Sequence, residues 1–163
     1  MMLLAIDPGP VQSAFCLMDE HYRANEKGKV PNDALMEYIW MNAKKIDHIA
    51  IEMIASYGMA VGAETFETCT IIGRIEQTAD IKGIPNSRVY RIEEKTTICH
   101  DSRAKDTNIR HALIDRFARE DKKRGVGTKK DPDWFYGFAG DMWAAFAVGV
   151  VYLDKQRAEG GEI

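Results

Sequence analysis

"LLAIDPGPVQSAFCLMD", residues 3–19, holds an apolar run, the sequence Asp-Pro-Gly-Pro, and a second mostly apolar run. Two apolar runs on either side of a Pro/Gly turn read as a β-hairpin. The first strand is expected over residues 2–6 and the second over 11–18. Asp7 stands where the first strand meets the turn. Asp, Pro and Gly all form turns, so Asp7 taken alone is equally a turn residue. Its place at the end of a buried strand opens a second reading, in which it carries chemistry.

Outward from the hairpin, residues 22–29 pattern weakly as a third strand or a loop. Residues 31–33 start a helix that carries Leu35, Met36, Ile39, Trp40 and Ala43 at helical spacing. "HIAIE", residues 48–52, is a short strand ending on Glu52, and a loop with Gly58 and Gly62 follows. A long helix then places Phe66, Cys69, Ile72, Ile75 and Ala79 on one face and stops at Gly83. "SRVYRI", residues 87–92, reads as a strand. Residues 101–119 hold a helix with Ile109, Ala112, Leu113 and Phe117 inward, and residues 120–134 form a polar loop. The last helix is expected from about residue 140 to 154, with Trp143 in the core. A hairpin followed by alternating helices and strands gives an α/β class with a mixed sheet.

The chain has 163 residues, which suits one domain, expected over 1–156 with 157–163 as a flexible tail. It is 45% hydrophobic and 29% charged, as globular proteins are. No apolar stretch reaches the roughly 18 residues of a membrane helix. The first residues do not pattern as a signal peptide. Cys16, Cys69 and Cys99 are odd in number and widely spaced, so they suit neither a disulfide framework nor a zinc site. A reducing cytoplasm is the expected location. A net charge of −3 weighs against non-specific coating of nucleic acid and leaves room for local basic patches.

Three acidic residues sit in unusual places. Asp7 ends one strand, Glu52 interrupts the apolar run "IAIEM" at the end of another, and Asp141 starts a nearly all-apolar helix. Strand ends of an α/β sheet are where sites are built. Each residue also has a plain role: a turn for Asp7, a solvated strand end for Glu52, a charge on the helix dipole for Asp141. Together they suggest converging carboxylates, which repel one another unless a cation is present. Mg²⁺ and Mn²⁺ take such oxygen ligands. Two such ions about 4 Å apart can activate water and stabilise a leaving oxygen in phosphodiester cleavage.

The ordered set "LLAIDPG" at 3–9, "IAIEMIASYGMAVGAETFETCTIIGRIEQ" at 49–77, "RIEEKTTICHDSRAKDTNIRHALIDRF" at 91–117 and "GTKKDPDWFYGFAGDMWAAFAVGVV" at 127–151 resembles the RuvC-type Holliday junction resolvases, in particular their phage-borne relatives. The resemblance implies an RNase H-like fold, a mixed sheet flanked by helices, in a homodimer. It implies Mg²⁺- or Mn²⁺-dependent cleavage of four-way DNA junctions, with two ions per site and 5′-phosphate and 3′-hydroxyl products. Asp7, Glu52 and Asp141 match the family's acidic positions. The family usually carries two ligands three residues apart on the last helix. Here Phe138 or Ala144 fills the other position, depending on register, and "DMWAAFAVG" favours Ala144. Asp131 or Asp133 is the candidate substitute. A branched-DNA-binding protein with weak or lost cleavage, and a broader flap or fork nuclease, are the alternative readings.

The resemblance also marks residues that would meet DNA. Lys95 matches a family lysine near the active site, suited to charge on the scissile phosphate. Lys105 matches a second basic position loosely. Tyr57 and Met59 follow Glu52 and are candidates for stacking on an unpaired base at the junction centre. "KKRGVGTKK", residues 122–130, brings Lys122, Lys123, Arg124, Lys129 and Lys130 together, as a phosphate-gripping mobile arm or as a solvated loop. The helix over 63–82 is a candidate dimer surface. The histidines show no metal-ligand spacing.

Overall fold

The computed structural model describes residues 1–56, 58, 60–118 and 123–160. Five strands form one sheet in the order β3-β2-β1-β4-β5. They are β1 Met2–Asp7, β2 Gln12–Asp19, β3 Ala24–Pro31, β4 His48–Met53 and β5 Asn86–Tyr90. The first three run antiparallel, whereas β4 and β5 lie parallel to β1. The helices are α1 Asn32–Asn42, α2 Ala63–Lys82, α3 Arg91–Cys99, α4 Asp106–Phe117 and α5 Met142–Ala158.

The hairpin expected from residues 3–19 forms, with Asp7 opposite Ala14. Its turn is tight at Gly9, where a Cβ would lie 2.4 Å from the Gln12 carbonyl oxygen. Buried Ser13 and Asn32 fasten it. The Ser13 hydroxyl donates to Asn32 Oδ1 at 2.7 Å, and Asn32 Nδ2 donates to the Gly9 carbonyl at 3.0 Å. The turn is thus held by residues other than Asp7.

Strand alternation sorts the core into two layers. Leu4, Ile6, Ile49 and Ile51 face α1 and α2, whereas Leu3, Ala5 and Ala50 face α4 and α5. Helix α5 is buried on nearly every side, from Trp143 to Leu153, because sheet lies on one side and α4 with the aromatic residues of the preceding loop on the other. Phe135 is the hub of that cover, its ring 4.4 Å from Trp143 and 5.3 Å from Phe146. No described helix is long and apolar enough to cross a membrane.

Several expectations move. Residues 22–29 become a strand two positions later, at 24–31. The strand read over 87–92 ends at Tyr90, and α3 begins at once. Helix α2 buries Thr68, Ile71, Ile72, Ile75 and Ala79, whereas Phe66 and Cys69 face solvent. Thr68 can be buried because its hydroxyl donates to the Glu64 carbonyl. On α1, Leu35 and Ile39 are buried and Trp40 lies outside, under Lys82. Helix α4 is shorter than the expected 101–119, and Ile114 joins Ile109 and Leu113 in the core.

The far end of α5 is anchored by Asp154. It accepts two bonds from Arg116, at 2.7 and 2.8 Å, and one from the Tyr22 hydroxyl at 2.6 Å. Burial works to raise the Asp154 pKa, but the Arg116 and Tyr22 bonds outweigh it and hold the carboxyl below its ordinary value. A carboxylate with a depressed folded pKa stabilises the fold above its unfolded pKa and loses that contribution as pH falls through the folded one. Asp154→Asn is expected to cost about 2 kcal/mol at neutral pH. The difference from the unmodified chain should shrink in melts run progressively below about pH 4.

Candidate active site

The site lies at one edge of the sheet, where the strands facing α5 run out of apolar residues. Asp7 continues the row Leu3–Ala5 on β1, and Glu52 continues the row after Ala50 on β4. Ile6 pairs with Ile51, so Asp7 and Glu52 fall on the next rung of adjacent parallel strands. The N-terminus of α5 reaches the same edge with Asp141 as its N-cap residue. Asp7 and Asp141 line one cleft of about 390 Å³, together with the hairpin turn and Lys29.

The charges are strongly coupled. Burial pushes the Asp7 pKa up, the charge of Glu52 and a shared hydrogen bond with it push further, and Asp141 adds to this. Arg91 opposes them, and the balance stands at about 8. Asp7 thus keeps its proton well above the usual carboxylate range. Asp141 turns to Lys29, whose Nζ is 2.5 Å from its Oδ2. Lys29 is held above its ordinary pKa by that bond.

A fourth carboxylate belongs to the neighbourhood. Glu94, on the first turn of α3, is wholly buried. Burial first, then the charges of Glu52 and Asp7, push its pKa up, against the pull of Arg91. Arg91 Nη1 lies 2.5 Å from Glu94 and 3.8 Å from Glu52, and Nη2 pairs with Asp106. Burial disfavours the Arg91 charge, but Glu94, Glu52 and Asp106 prevail and raise its pKa. Beside it, Arg110 stacks over the Trp143 ring at 4.4 Å, in a second cleft that also reaches Asp141.

Arg91, Glu94, Lys29 and Arg110 escaped the sequence reading. Only the paired glutamates of "RIEEK" hinted at Glu94. Glu93 turns outward to Lys155 and its neighbour inward.

The donor set suits a hard divalent ion: all oxygens, on two carboxylates that the strands force onto neighbouring positions. Among the described residues no three or more Asp, Glu, His or Cys side chains form a ready-made metal cage. Asp7 and Glu52 are paired, and Asp141 is engaged by Lys29. Phe138 is core, packed on Trp143 and Phe146, and Ala144 lines the second cleft. Asp131 and Asp133 line neither cleft.

The basic candidates divide into two places. Lys95 and Lys105 line one shallow groove with Arg103 and Asp106. Asp106 also belongs to the Arg91–Arg110 cleft, and Asp141 joins that cleft to the one holding Asp7. Lys123, Arg124, Lys129 and Lys130 are exposed on a loop that backbone hydrogen bonds cross. Thr128 and Asp131 exchange backbone bonds, Gly125 O accepts from Phe135, and Gly127 bridges to Pro132. Tyr57, Met59 and Lys122 lie outside the described residues.

No family model matches the sequence, and no curated protein matches it. Solved structures do. Thermus thermophilus RuvC in complex with Holliday junction substrate superposes with a TM-score of 0.69 at 13% identity, covering 97% of this chain and 96% of that one. A second Thermus thermophilus RuvC structure gives 0.67 at 15% identity, over 98% and 97%. The chain has the RuvC-like, RNase H-like fold over nearly its whole length, as its sequence led one to expect.

Proposed function

We propose that this chain is a metal-dependent, structure-specific endonuclease that resolves four-way DNA junctions, working as a homodimer with one site per protomer. The observation that carries the reading is the half-buried Asp7–Glu52 pair at the ends of adjacent parallel strands. The N-terminus of α5 brings Asp141 to the same edge. Asp7, Glu52 and Asp141 would hold Mg²⁺ or Mn²⁺, two ions in the full site. Bound there, the metal supplies an activated water and charge neutralisation for phosphodiester hydrolysis.

The surrounding residues have roles of their own. Asp7 gives up its proton as the site takes up positive charge. Lys29 and Arg91 keep the flanking carboxylates oriented until then. Lys95, Lys105 and Arg103 offer a groove to the DNA backbone, with Lys95 as the catalytic lysine. The loop over 123–130 offers Lys123, Arg124, Lys129 and Lys130 as a second set of phosphate contacts. Lys122, with Tyr57 and Met59 as the residues that open the junction centre, rests on the sequence alone.

A branched-DNA-binding protein with weak or lost cleavage is the second reading. The engagement of Asp141 by Lys29, with alanine at position 144, favours it. Incubation of the chain with an end-labelled four-way junction and Mn²⁺ is expected to give paired cuts. Binding without cuts, across both metals and several junction sequences, would sink the nuclease reading. Equal cutting of flaps and forks would replace it by a broader branched-DNA nuclease. Junction affinity should depend steeply on salt. Roughly six to ten phosphate contacts lose about 10³–10⁵ in affinity between about 50 and 200 mM salt, read from anisotropy titrations.

A further inference from the structure

We propose that Glu94 is a further metal-ligating carboxylate of this site, supplied by α3, and that Arg91 is the internal cation it exchanges for the metal. The proposal rests on the metal-dependent reading above and deepens it. Helix α5 offers Asp141 alone, since residue 144 is alanine and Phe138 belongs to the aromatic core. Helix α3 supplies what α5 does not.

Glu94 is fully buried, yet its Oε1 accepts no hydrogen bond among the described residues. A buried carboxylate oxygen left unpartnered is costly, and a pair made only for stability would be expected to satisfy both oxygens. The other oxygen, Oε2, takes Arg91 Nη1 at 2.5 Å. The same nitrogen stands 3.8 Å from Glu52 Oε1, so one guanidinium lies between Glu94 and Glu52. Glu52 in turn shares a hydrogen bond with Asp7. Asp7, Glu52, Arg91 and Glu94 therefore form one continuous chain of contacts, and Glu94 feels the charges of Glu52 and Asp7.

The arrangement is matched on the other side of the cleft, where Lys29 holds Asp141. Each flanking carboxylate is thus neutralised by a basic side chain. A divalent ion carries twice the charge and accepts about six oxygens. It can satisfy the Glu94 oxygen that Arg91 leaves open. Asp106 stays with the released guanidinium, already bonded to its Nη2.

The test is Mn²⁺ titration of the full chain by calorimetry, with the Mn²⁺-induced rise in melting temperature as a second readout. Glu94→Gln is expected to weaken Mn²⁺ binding by about tenfold or more. Arg91→Gln is expected to tighten it, because the competing cation is gone. Asp7→Asn serves as the control for the site itself. If Asp7→Asn weakens binding and Glu94→Gln titrates like the unmodified chain, Glu94 is only the partner of Arg91 and the proposal fails alone. If the unmodified chain takes up no Mn²⁺, the metal-dependent reading fails and carries the proposal with it. If Arg91→Gln binds Mn²⁺ no more tightly, the exchange is wrong. Should Glu94→Gln not fold, Glu94→Asp keeps the charge on a shorter arm. Unchanged Mn²⁺ affinity in that variant overturns the proposal.

Discussion

Asp7→Asn is expected to bind a labelled four-way junction as the unmodified chain does, to cut it at least about a hundredfold more slowly, and to melt at a higher temperature. The two effects share one cause. Asp7 sits half-buried against Glu52, and its pKa stands near 8. An acid whose folded pKa exceeds its unfolded value, about 3.9, binds more protons when folded. Stability then falls as pH rises between about 4 and about 8, and is lowest above that window. The cost of ionising Asp7 is on the order of a few kcal/mol at pH 8. Asn keeps the shape and the hydrogen bond and has no charge to lose. The variant should therefore gain roughly 2–4 °C per kcal/mol over the unmodified chain at pH 8, and little at pH 4. Melts at the two pH values, with junction binding and cutting measured alongside, check all three parts. Undiminished cutting would show that Asp7 has been misassigned.

Gly149→Val is expected to be the most damaging single change in the core. Helix α5 lies so close to the sheet at Gly149 that an added Cβ would come within 2.2 Å of Met18 Sδ and 3.1 Å of Ala5 Cβ. Both neighbours are fully buried and have little room to retreat. Overpacking of this kind costs about 3 kcal/mol, roughly 6–12 °C for a domain of this size. Gly149→Ala should cost less, because alanine regains about 1 kcal/mol of helix propensity. Asp141 sits at the head of the same helix, so a valine that lifts α5 also displaces that carboxylate from the cleft. Junction cutting should fall even at temperatures where the variant is folded. A Gly149→Val chain that melts with the unmodified one would refute the close approach of helix and sheet.

Legibility in the sequence followed contrast. Asp7 and Glu52 stood out because each ends an apolar run, and strand alternation then placed both on the α5 side. Asp141 stood out at the head of a helix with no other acid until Asp154. Glu94 did not stand out. Its helix has few apolar residues to mark an inner face, and Glu93 beside it is chemically the same. What turns Glu94 inward is the start of α3 directly after β5, fixed when Glu93 accepts a bond from the Tyr90 backbone N–H at 2.6 Å. Reading the strand two residues too far hid that turn. Strand β3 was faint for a related reason: most of its side chains meet solvent, so no alternation shows. The face of α2 was misjudged at its first turns because Phe66 is apolar but exposed, and Thr68 is polar but buried. Composition alone does not separate such cases.

Strand β3 pairs with β2 on one side only, and its sequence "ANEKGKVP" bears Glu26, Lys27 and Lys29 and closes on proline. Charged side chains and a terminal proline blunt a sheet margin against annexation by a passing strand. Lys29 reaches back to Asp141, and Lys27 sits 4.8 Å from the Phe138 ring. Lys29, one of the residues that deter illegitimate strand joining, thus also borders the cleft. A drift of this border toward β-branched apolar residues would strip basic charge from the cleft rim and remove the deterrent to fibrous self-association in one step.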